Sequence, residues 1–189
     1  MSFSKRCFNI FFSLTSLIGL FPFLLVVSIL IKISSRGPVL HVSDRVGQNN
    51  RNFKMYKFRT MTLDAPNVAT HLMKNPHRYL TLIGKFLRTW SIDELPQILN
   101  VLKGDMNLVG PRPALYNQYD LIAHRTELGI HRLVPGITGF AQITGRDRVS
   151  IKRKVKLDAY YLKNQSLWLD LKIIMKTFLN VFIQKDISH

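Results

Sequence analysis

The sequence of 189 residues has one cysteine, Cys7, and few acidic residues. A single cysteine excludes an intramolecular disulfide, so the default compartment is the reducing cytoplasm. The sequence also lacks internal repeats and low-complexity tracts, which excludes a solenoid or a disordered basic protein. Its six histidines show no metal-ligand spacing, and Gly-rich phosphate loops and nucleophilic serine motifs do not occur. P-loop and serine-hydrolase chemistry are therefore excluded.

Positive charge is abundant instead. The sequence has 27 Lys and Arg against 11 Asp and Glu, which gives a net charge of +16. A charge of this size favours anionic partners, and phosphate is the obvious group. That phosphate could belong to nucleic acid, to lipid head groups or to a small substrate. The length suits one globular domain with appendages.

The amino-terminal segment 7–31 contains no charged side chain and is long enough to cross a bilayer. A single spanning helix, a signal peptide and a re-entrant helix-break-helix all fit that length. Gly19 and Pro22 lie near the middle, where proline removes a helix hydrogen bond. Basic residues flank both ends of the segment, namely Lys5, Arg6, Lys32, Arg36 and Arg45. Because such residues favour the cytoplasmic side, we favour the re-entrant course.

A second apolar pattern lies near the carboxyl end. Its residues recur at helical spacing: Leu167, Trp168, Leu171, Ile174, Met175, Phe178, Leu179 and Phe182. This spacing predicts an amphipathic helix, which could face the protein core or lie in the head-group plane of a membrane.

The segment 83–113 carries the most chemistry. Its apolar spacing predicts a helix that ends at Gly104, since glycine tolerates the left-handed conformation. Either Ser91 with Glu94, as a capping box, or Asp93 alone could begin that helix, and Pro96 fits the second choice better. Capping is thus one explanation of the pair Asp93–Glu94. The other is catalytic, with one carboxylate attacking phosphorus and its neighbour holding a metal.

Basic side chains surround this acidic pair in the sequence: Lys85, Arg88, Lys103 and Arg112. Arg112 lies between Pro111 and Pro113, which fix its backbone. Arginine is well suited to bidentate phosphate recognition, although a surface arginine in a rigid turn is the simpler explanation.

Several stretches together resemble one family. They are Tyr56-Lys57-Phe58-Arg59-Thr60-Met61, Ser91 to Pro113, Pro135-Gly136-Ile137-Thr138-Gly139, Gln142 with Gly145-Arg146, and Leu157-Asp158 to Tyr161. In this order and spacing the sequence resembles the bacterial sugar transferases, the small monotopic phosphoglycosyl transferases that begin glycan assembly on undecaprenyl phosphate.

The resemblance implies an α+β, mostly helical fold on the cytoplasmic face of the bacterial inner membrane. Residues 1–35 are expected to form the re-entrant membrane anchor. Residues 36–165 form a small cytoplasmic catalytic domain with a minor β-hairpin between Val39 and Phe58. Residues 166–189 form an amphipathic interfacial helix of the same catalytic unit. The family's additional amino-terminal membrane domain is not expected, so the chain resembles the minimal catalytic form.

The resemblance also implies an activity, transfer of a sugar 1-phosphate from a UDP-sugar to undecaprenyl phosphate with release of UMP. Asp93 becomes the nucleophile, through a covalent aspartyl phosphosugar intermediate, and Glu94 becomes its catalytic partner and the Mg²⁺ ligand. Basic residues become candidates for binding phosphate or nucleotide: Lys57, Arg59, Arg88, Arg112 and Arg146. This reaction is the first membrane step in assembling O-antigen, capsule, exopolysaccharide or glycoprotein glycans.

The expected partners are a UDP-sugar, undecaprenyl phosphate and membrane lipids, without nucleic acid, and a homo-oligomer stays open. A rival interpretation is a basic nucleic-acid-binding or membrane-surface protein without catalysis, supported by the basic run 146–156. A scaffold that has lost activity is a third. The sequence departs from the family pattern at Asn9, at Phe21 before Pro22, and at Phe140, but it keeps the acidic pair.

Overall fold

The computed structural model describes residues 3–66, 73, 75–145 and 150–183. Seven α-helices lie within these residues: α1 Phe3–Ser34, α2 Gly84–Thr89, α3 Ile98–Lys103, α4 Tyr119–Glu127, α5 Phe140–Gly145, α6 Ile151–Lys163 and α7 Leu167–Phe182. Short 3₁₀ helices span Gln48–Asn50, Pro76–Tyr79, Ile92–Gln97 and Ile130–Arg132. The prediction of a mostly helical fold is confirmed.

The strands form two small sheets. Their bounds are β1 Leu40–Val46, β2 Asn52–Phe58, β3 Asn107–Val109, β4 Ala114–Leu115 and β5 Gly136–Thr138. β1 and β2 pair as an antiparallel hairpin, with His41 opposite Lys57, and β4 adds to the other edge of β1. β3 pairs with β5 in parallel. The strands predicted between Val39 and Phe58 are therefore present as a hairpin.

Strand β2 is held between two apolar clusters. On one side Phe58 packs with Leu87 and with the end of α1. On the other side Met55 packs with Val101 and Met106. Because buried side chains fix the strand at both positions, the residues between them have a defined place. Lys57 is one of these residues.

The helix around the acidic pair begins differently from both predictions. Ser91 has a left-handed backbone with φ of 55°, and its side chain makes no capping hydrogen bond. Asp93 lies inside the 3₁₀ helix Ile92–Gln97, and α3 begins only at Ile98. Pro96 lacks an amide N–H, which favours a short 3₁₀ segment over a continuous α-helix. Both capping predictions are therefore wrong, whereas the predicted end at Gly104 is confirmed by its φ of 96°.

Helix α1 turns polar side chains inwards at its amino-terminal end. Lys5, Asn9 and Ser13 are buried at a spacing of four, so they share one face. Farther along, Val27 and Ile31 are also buried. Most other apolar residues of α1 are exposed. Both ends of α1 thus pack against the rest of the protein.

A buried ion pair fastens the start of α1. Lys5 Nζ lies 2.8 Å from Asp170 Oδ2 of α7, and it also donates to the hydroxyl of Tyr161. That hydroxyl in turn donates to Asp170 Oδ1 at 2.6 Å. Asn9 Nδ2 donates to Asn107 Oδ1 at 2.7 Å. These contacts satisfy groups that would otherwise be buried without partners.

Pro22 lies within α1, which continues from Phe3 to Ser34 without ending there. By length and apolar composition this helix can cross a membrane. That property is shared by core helices and signal sequences, so it is weak evidence by itself. The re-entrant course stays a prediction.

Helix α7 is also apolar on its outer face. It buries Asp170 and Ile173. Its exposed apolar residues are Leu167, Trp168, Leu171, Met175, Phe178 and Leu179. An ordinary core-facing helix would bury such residues, so this arrangement favours an apolar environment outside the protein.

Candidate active site

The acidic pair meets a lysine from the hairpin. Asp93 and Glu94 lie in the first turn of the 3₁₀ helix Ile92–Gln97, which packs on β2. Lys57 Nζ donates to Glu94 Oε1 at 2.6 Å and lies 3.7 Å from Asp93 Oδ2. One ammonium group therefore serves both carboxylates, from a residue 37 positions away from Glu94.

The Gly-Pro-Arg-Pro loop brings a second cation. Arg112 Nη2 lies 3.0 Å from Glu94 Oε1, the oxygen that also accepts from Lys57. The loop lies tightly against Val134, since a Cβ on Gly110 would come within 2.5 Å of the Val134 carbonyl oxygen. Glycine at this position allows the close approach that brings Arg112 to the acidic pair.

The two carboxylates have different electrostatic surroundings. Burial would raise the pKa of Glu94, but the charges of Arg112 and Lys57 outweigh it and hold that pKa well below its usual value. Burial raises the pKa of Asp93, because Lys57 only partly offsets it and Glu94 adds to it. Neighbouring carboxylates whose pKa values are driven apart are typical of catalytic pairs with separate roles. Glu94 is the permanently ionised member, and Asp93 is the more basic one.

A buried ion pair supports the loop of Arg112. Arg125 donates through Nε and Nη2 to Asp158 Oδ2, at 3.0 and 2.6 Å. Its Nη1 donates to the carbonyl oxygen of Arg112 at 2.8 Å. Burial raises the pKa of Asp158, although Arg125 opposes this. Sequence reasoning missed both residues as a support. Asp158 lies in a stretch that matches the family, whereas Arg125 gave no signal.

Arg88 also lies at the acidic pair. Its Nε donates to Thr60 Oγ1 at 2.9 Å, which orients the guanidinium. Burial lowers the pKa of Arg88, while the nearby charges of Asp93 and Glu94 raise it. Lys57, Arg88 and Arg112 thus converge on the pair, as expected for predicted binding residues.

Two other predicted residues lie elsewhere. Arg59 is only 5% exposed, and its Nη2 donates to the carbonyl oxygen and to Oγ of Ser35, just after α1. The structure thus places its guanidinium at the end of α1. Arg146 lies outside the described residues. Substrate binding by these two residues stays a prediction.

Arg45 is a site residue that sequence reasoning missed. In the sequence, Arg45 is only one of the basic residues that flank the apolar segment. In the structure it is a half-buried residue of β1 near Arg112 and Glu94. Burial first, and then the charge of Arg112, lowers its pKa to about 10, against the opposing effect of Glu94. Side chains alternate between the two faces of β1, but this alternation indicates that Arg45 faces the site only when the pairing of β1 with β2 is known.

The acidic pair has the donor atoms that Mg²⁺ prefers. Mg²⁺ is commonly held by one or two carboxylates together with substrate phosphates and water. Among the described residues no group of three or more Asp, Glu, His or Cys could hold a metal alone. Glu94 Oε1 accepts from both Lys57 and Arg112. The pair therefore fits a metal that arrives with phosphate.

An apolar groove of about 220 Å³ adjoins this segment. Helix α1 forms one wall with Leu17, Phe21, Leu24, Leu25 and Ser28. The other wall consists of Leu40, Phe58, Leu95, Pro96 and Leu99. Leu95 directly follows Glu94 in the chain, so the groove begins next to the acidic pair.

The fold thus has a long apolar amino-terminal helix, and the site is an acidic pair in contact with two basic side chains. The family model for bacterial sugar transferases matches residues 1–184. The chain belongs to the bacterial sugar transferase family. This confirms the resemblance found in the sequence.

Curated relatives support the same family. A UDP-N-acetylgalactosamine-undecaprenyl-phosphate N-acetylgalactosaminephosphotransferase of Aeromonas hydrophila is 38% identical over 181 residues, covering 93% of this chain and 43% of the relative. An undecaprenyl-phosphate glucose phosphotransferase of Komagataeibacter xylinus is 42% identical over 184 residues, covering 92% and 35%. The exopolysaccharide production protein ExoY of Sinorhizobium fredii is 38% identical over 189 residues, covering 92% and 83%. The chain thus spans less than half of the first two relatives and most of the third.

Proposed function

We propose that this protein transfers a sugar 1-phosphate from a UDP-sugar to undecaprenyl phosphate and releases UMP. The observation that carries the proposal is the acidic pair itself. Glu94 is held ionised by Lys57 and Arg112, while Asp93 beside it is more basic. The names of the relatives, which include two undecaprenyl-phosphate sugar phosphotransferases, support the same reaction.

In the first step, a carboxylate oxygen of Asp93 attacks the phosphorus that bears the sugar. A bond forms between that oxygen and phosphorus, and the bond from phosphorus to the UMP oxygen breaks. The electron pair leaves with UMP. The product on the protein is an aspartyl phosphosugar, so one displacement is divided into two. Lys57 and Arg112 hold the negative charges that accumulate around Asp93.

In the second step, a phosphate oxygen of undecaprenyl phosphate attacks the same phosphorus. The bond between phosphorus and Asp93 breaks, which returns Asp93 to a free carboxylate. The product is the sugar linked to the lipid through a diphosphate. Because UMP leaves before the lipid reacts, ping-pong kinetics are expected.

Mg²⁺ is the proposed cofactor, held by Glu94 together with phosphate oxygens of the substrate. When bound, it neutralises phosphate charge and lets an anionic nucleophile approach. Lys57 and Arg112 keep Glu94 deprotonated, which is the form that binds a metal. Loss of Glu94 is therefore expected to weaken metal dependence.

The proposed location is the cytoplasmic face of the bacterial inner membrane. The apolar outer faces of α1 and α7 support membrane contact. Contact of both ends of α1 with one domain supports a re-entrant course, since a straight spanning helix would leave one end on the far side. The apolar groove beside Leu95 is a suitable place for the first part of the polyprenyl chain.

The proposed role is the first membrane step in the assembly of a bacterial glycan, such as an exopolysaccharide. The name of the Sinorhizobium relative supports this role. A catalytically inactive scaffold or a nucleic-acid-binding protein would instead leave the electrostatic division between Asp93 and Glu94 without a function.

The test is UMP release by the purified protein in nanodiscs, with a panel of UDP-sugars, Mg²⁺ and undecaprenyl phosphate. Asp93→Asn is the matched variant, because it keeps the shape of the side chain and removes the nucleophile. Turnover that requires lipid, Mg²⁺ and Asp93 supports the proposal. Normal turnover by Asp93→Asn would contradict the aspartyl intermediate, and folded wild-type protein inactive across the panel would contradict the transferase activity.

A further inference from the structure

One face of β1 continues the surface of the site and takes no part in the steps above. His41, Ser43 and Arg45 alternate along this strand, so their side chains lie on the same face. Lys57 is directly opposite His41, and residues directly opposite each other in an antiparallel pair share a face. Lys57 contacts both Asp93 and Glu94. The face of β1 therefore begins beside the acidic pair, at His41, and extends away from it towards Arg45.

Arg45 lies at the far end of this face, beside the Gly-Pro-Arg-Pro loop. It pairs with Leu115 of β4, which begins two residues after Arg112. The charges of Arg112 and Glu94 both influence the pKa of Arg45, in keeping with this placement. Antiparallel pairing with β4 is therefore what brings the two arginines together.

The guanidinium of Arg45 has little to balance its charge. Among the described residues, its side chain makes one hydrogen bond, a long contact of 3.4 Å from Nε to Ser43 Oγ. Within the described ranges no carboxylate forms a salt bridge with Arg45. A half-buried guanidinium without a counter-ion is unfavourable, and a bound anion would relieve it. Burial and the positive charges of Lys57, Arg45 and Arg88 also lower the pKa of His41, so several cations act on this face.

Among the described residues, the site has two positive charges in surplus. Its cations are Lys57, Arg88, Arg112 and Arg45, and its anions are Asp93 and Glu94. Of the two carboxylates, Asp93 raises the pKa of Arg88 the most, whereas Glu94 raises the pKa of Arg45. A surplus of this size suits the two phosphates of a diphosphate, one at Asp93 and one beside Arg45.

We propose that Arg45, next to Arg112, binds the phosphate that leaves with the nucleotide. This inference rests on the proposed function and assigns a residue to the nucleotide half of its donor. When the bond from the attacked phosphorus breaks, negative charge develops on the oxygen of the leaving UMP phosphate. Arg45 is placed to stabilise that charge through its planar fork of N–H donors.

The test is binding of UMP and of UDP to the protein in nanodiscs with Mg²⁺, measured by calorimetry. Arg45→Gln is compared with Arg51→Gln, an exposed arginine of the same hairpin, so that both variants lose one positive charge. We expect Arg45→Gln to raise the Kd of UMP and of UDP alike, by about tenfold or more, because the phosphate it contacts is common to both. Arg51→Gln is expected to match the wild type, and Arg45→Lys to fall between.

Four results would overturn the inference. One is an equal Kd of the nucleotides for Arg45→Gln and Arg51→Gln. If Arg45→Gln does not fold, the corresponding result is an equal Kd for Arg45→Lys and wild type. A loss for UDP alone would place Arg45 at the sugar-side phosphate, and absence of nucleotide binding by wild-type protein would remove the ligand. A raised KM for undecaprenyl phosphate with unchanged UMP binding also counts against it. The proposed function fails separately, through wild-type protein that binds nucleotide but releases no UMP from any UDP-sugar.

Discussion

Two buried charged clusters of this protein differ in their charge balance. At the start of α1, Lys5 meets Asp170, and the hydroxyl of Tyr161 bonds to both. Around Asp93 and Glu94, cations outnumber carboxylates, and some guanidinium groups have no ionic partner in the described structure. A balanced cluster is complete without a ligand, so its role is to hold elements together. An unbalanced cluster favours an anion, as the proposed function requires.

The largest expected effect is loss of catalysis at the unbalanced cluster. Asp93→Asn is expected to reduce UMP release by at least about a thousandfold, since the amide cannot form the acyl phosphate. Single-turnover release of UMP without lipid measures this step directly. Trapping of a labelled phosphosugar on wild-type protein, and not on the variant, is the control. Labelled Asp93→Asn would disprove the assignment of the nucleophile.

The same variant is expected to be at least as stable as wild type. Because burial raises the pKa of Asp93 in the folded protein, the folded state binds its proton more tightly than the unfolded chain. Stability therefore falls as pH rises from the ordinary pKa of 3.8 through the folded value, and the penalty is complete above it. Asparagine removes that penalty. Tm measured at neutral pH checks this, and a lower Tm for Asp93→Asn would contradict it.

Substitutions in the balanced cluster are expected to lower the free energy of unfolding. Lys5→Met leaves Asp170 buried without its cation, which costs about 3–5 kcal/mol of the free energy of unfolding. Lys5→Met with Asp170→Asn leaves no unpaired charge and should recover much of that loss. Unfolding in detergent micelles measures both. Equal stability of the single and double variants would show that the two groups are not coupled.

A smaller effect is expected at the support of the Arg112 loop. Asp158→Asn weakens the bond that orients Arg125, whose Nη1 holds the Arg112 carbonyl. Because Arg112 then loses its fixed place beside Glu94, we expect kcat/KM to fall by about tenfold. A specific positioning role predicts a rise in KM for the UDP-sugar with KM for the lipid unchanged. Equal changes in both constants would indicate a general loss of structure.

The smallest expected effect is a shift in pH dependence. Since the raised pKa of Asp93 places its protonation above the ordinary value of 3.8, UMP release should fall at a higher pH than for a typical aspartate. Lys57 lowers this pKa, so Lys57→Met should move the acid limb of the profile farther upward. Lys54→Met is the control, because Lys54 lies on the same strand as Lys57 and its exposed pairing is with Asp44 of β1. An unmoved limb in Lys57→Met would contradict the coupling.

Sequence reasoning succeeded where the signal was local. The end of a helix at Gly104 follows from one residue and its backbone preference, and the amphipathic helix α7 follows from a spacing along one segment. The start of the helix near Asp93 was predicted wrongly, because the local signal there was ambiguous. Two capping patterns competed, while Pro96 and the packing on β2 imposed a 3₁₀ turn that neither pattern describes.

By itself the sequence determined the family, the acidic pair, the apolar segments and the excess of positive charge, because each is a property of neighbouring residues. Only the tertiary structure decided which cations reach Glu94. Arg112 does so through a loop, whereas Arg59 turns to Ser35 instead. Arg45 joins the site because β1 pairs with β4, and no spacing in the sequence specifies that pairing. Charge acts through space, so the partners of a buried carboxylate are fixed only when the chain has folded.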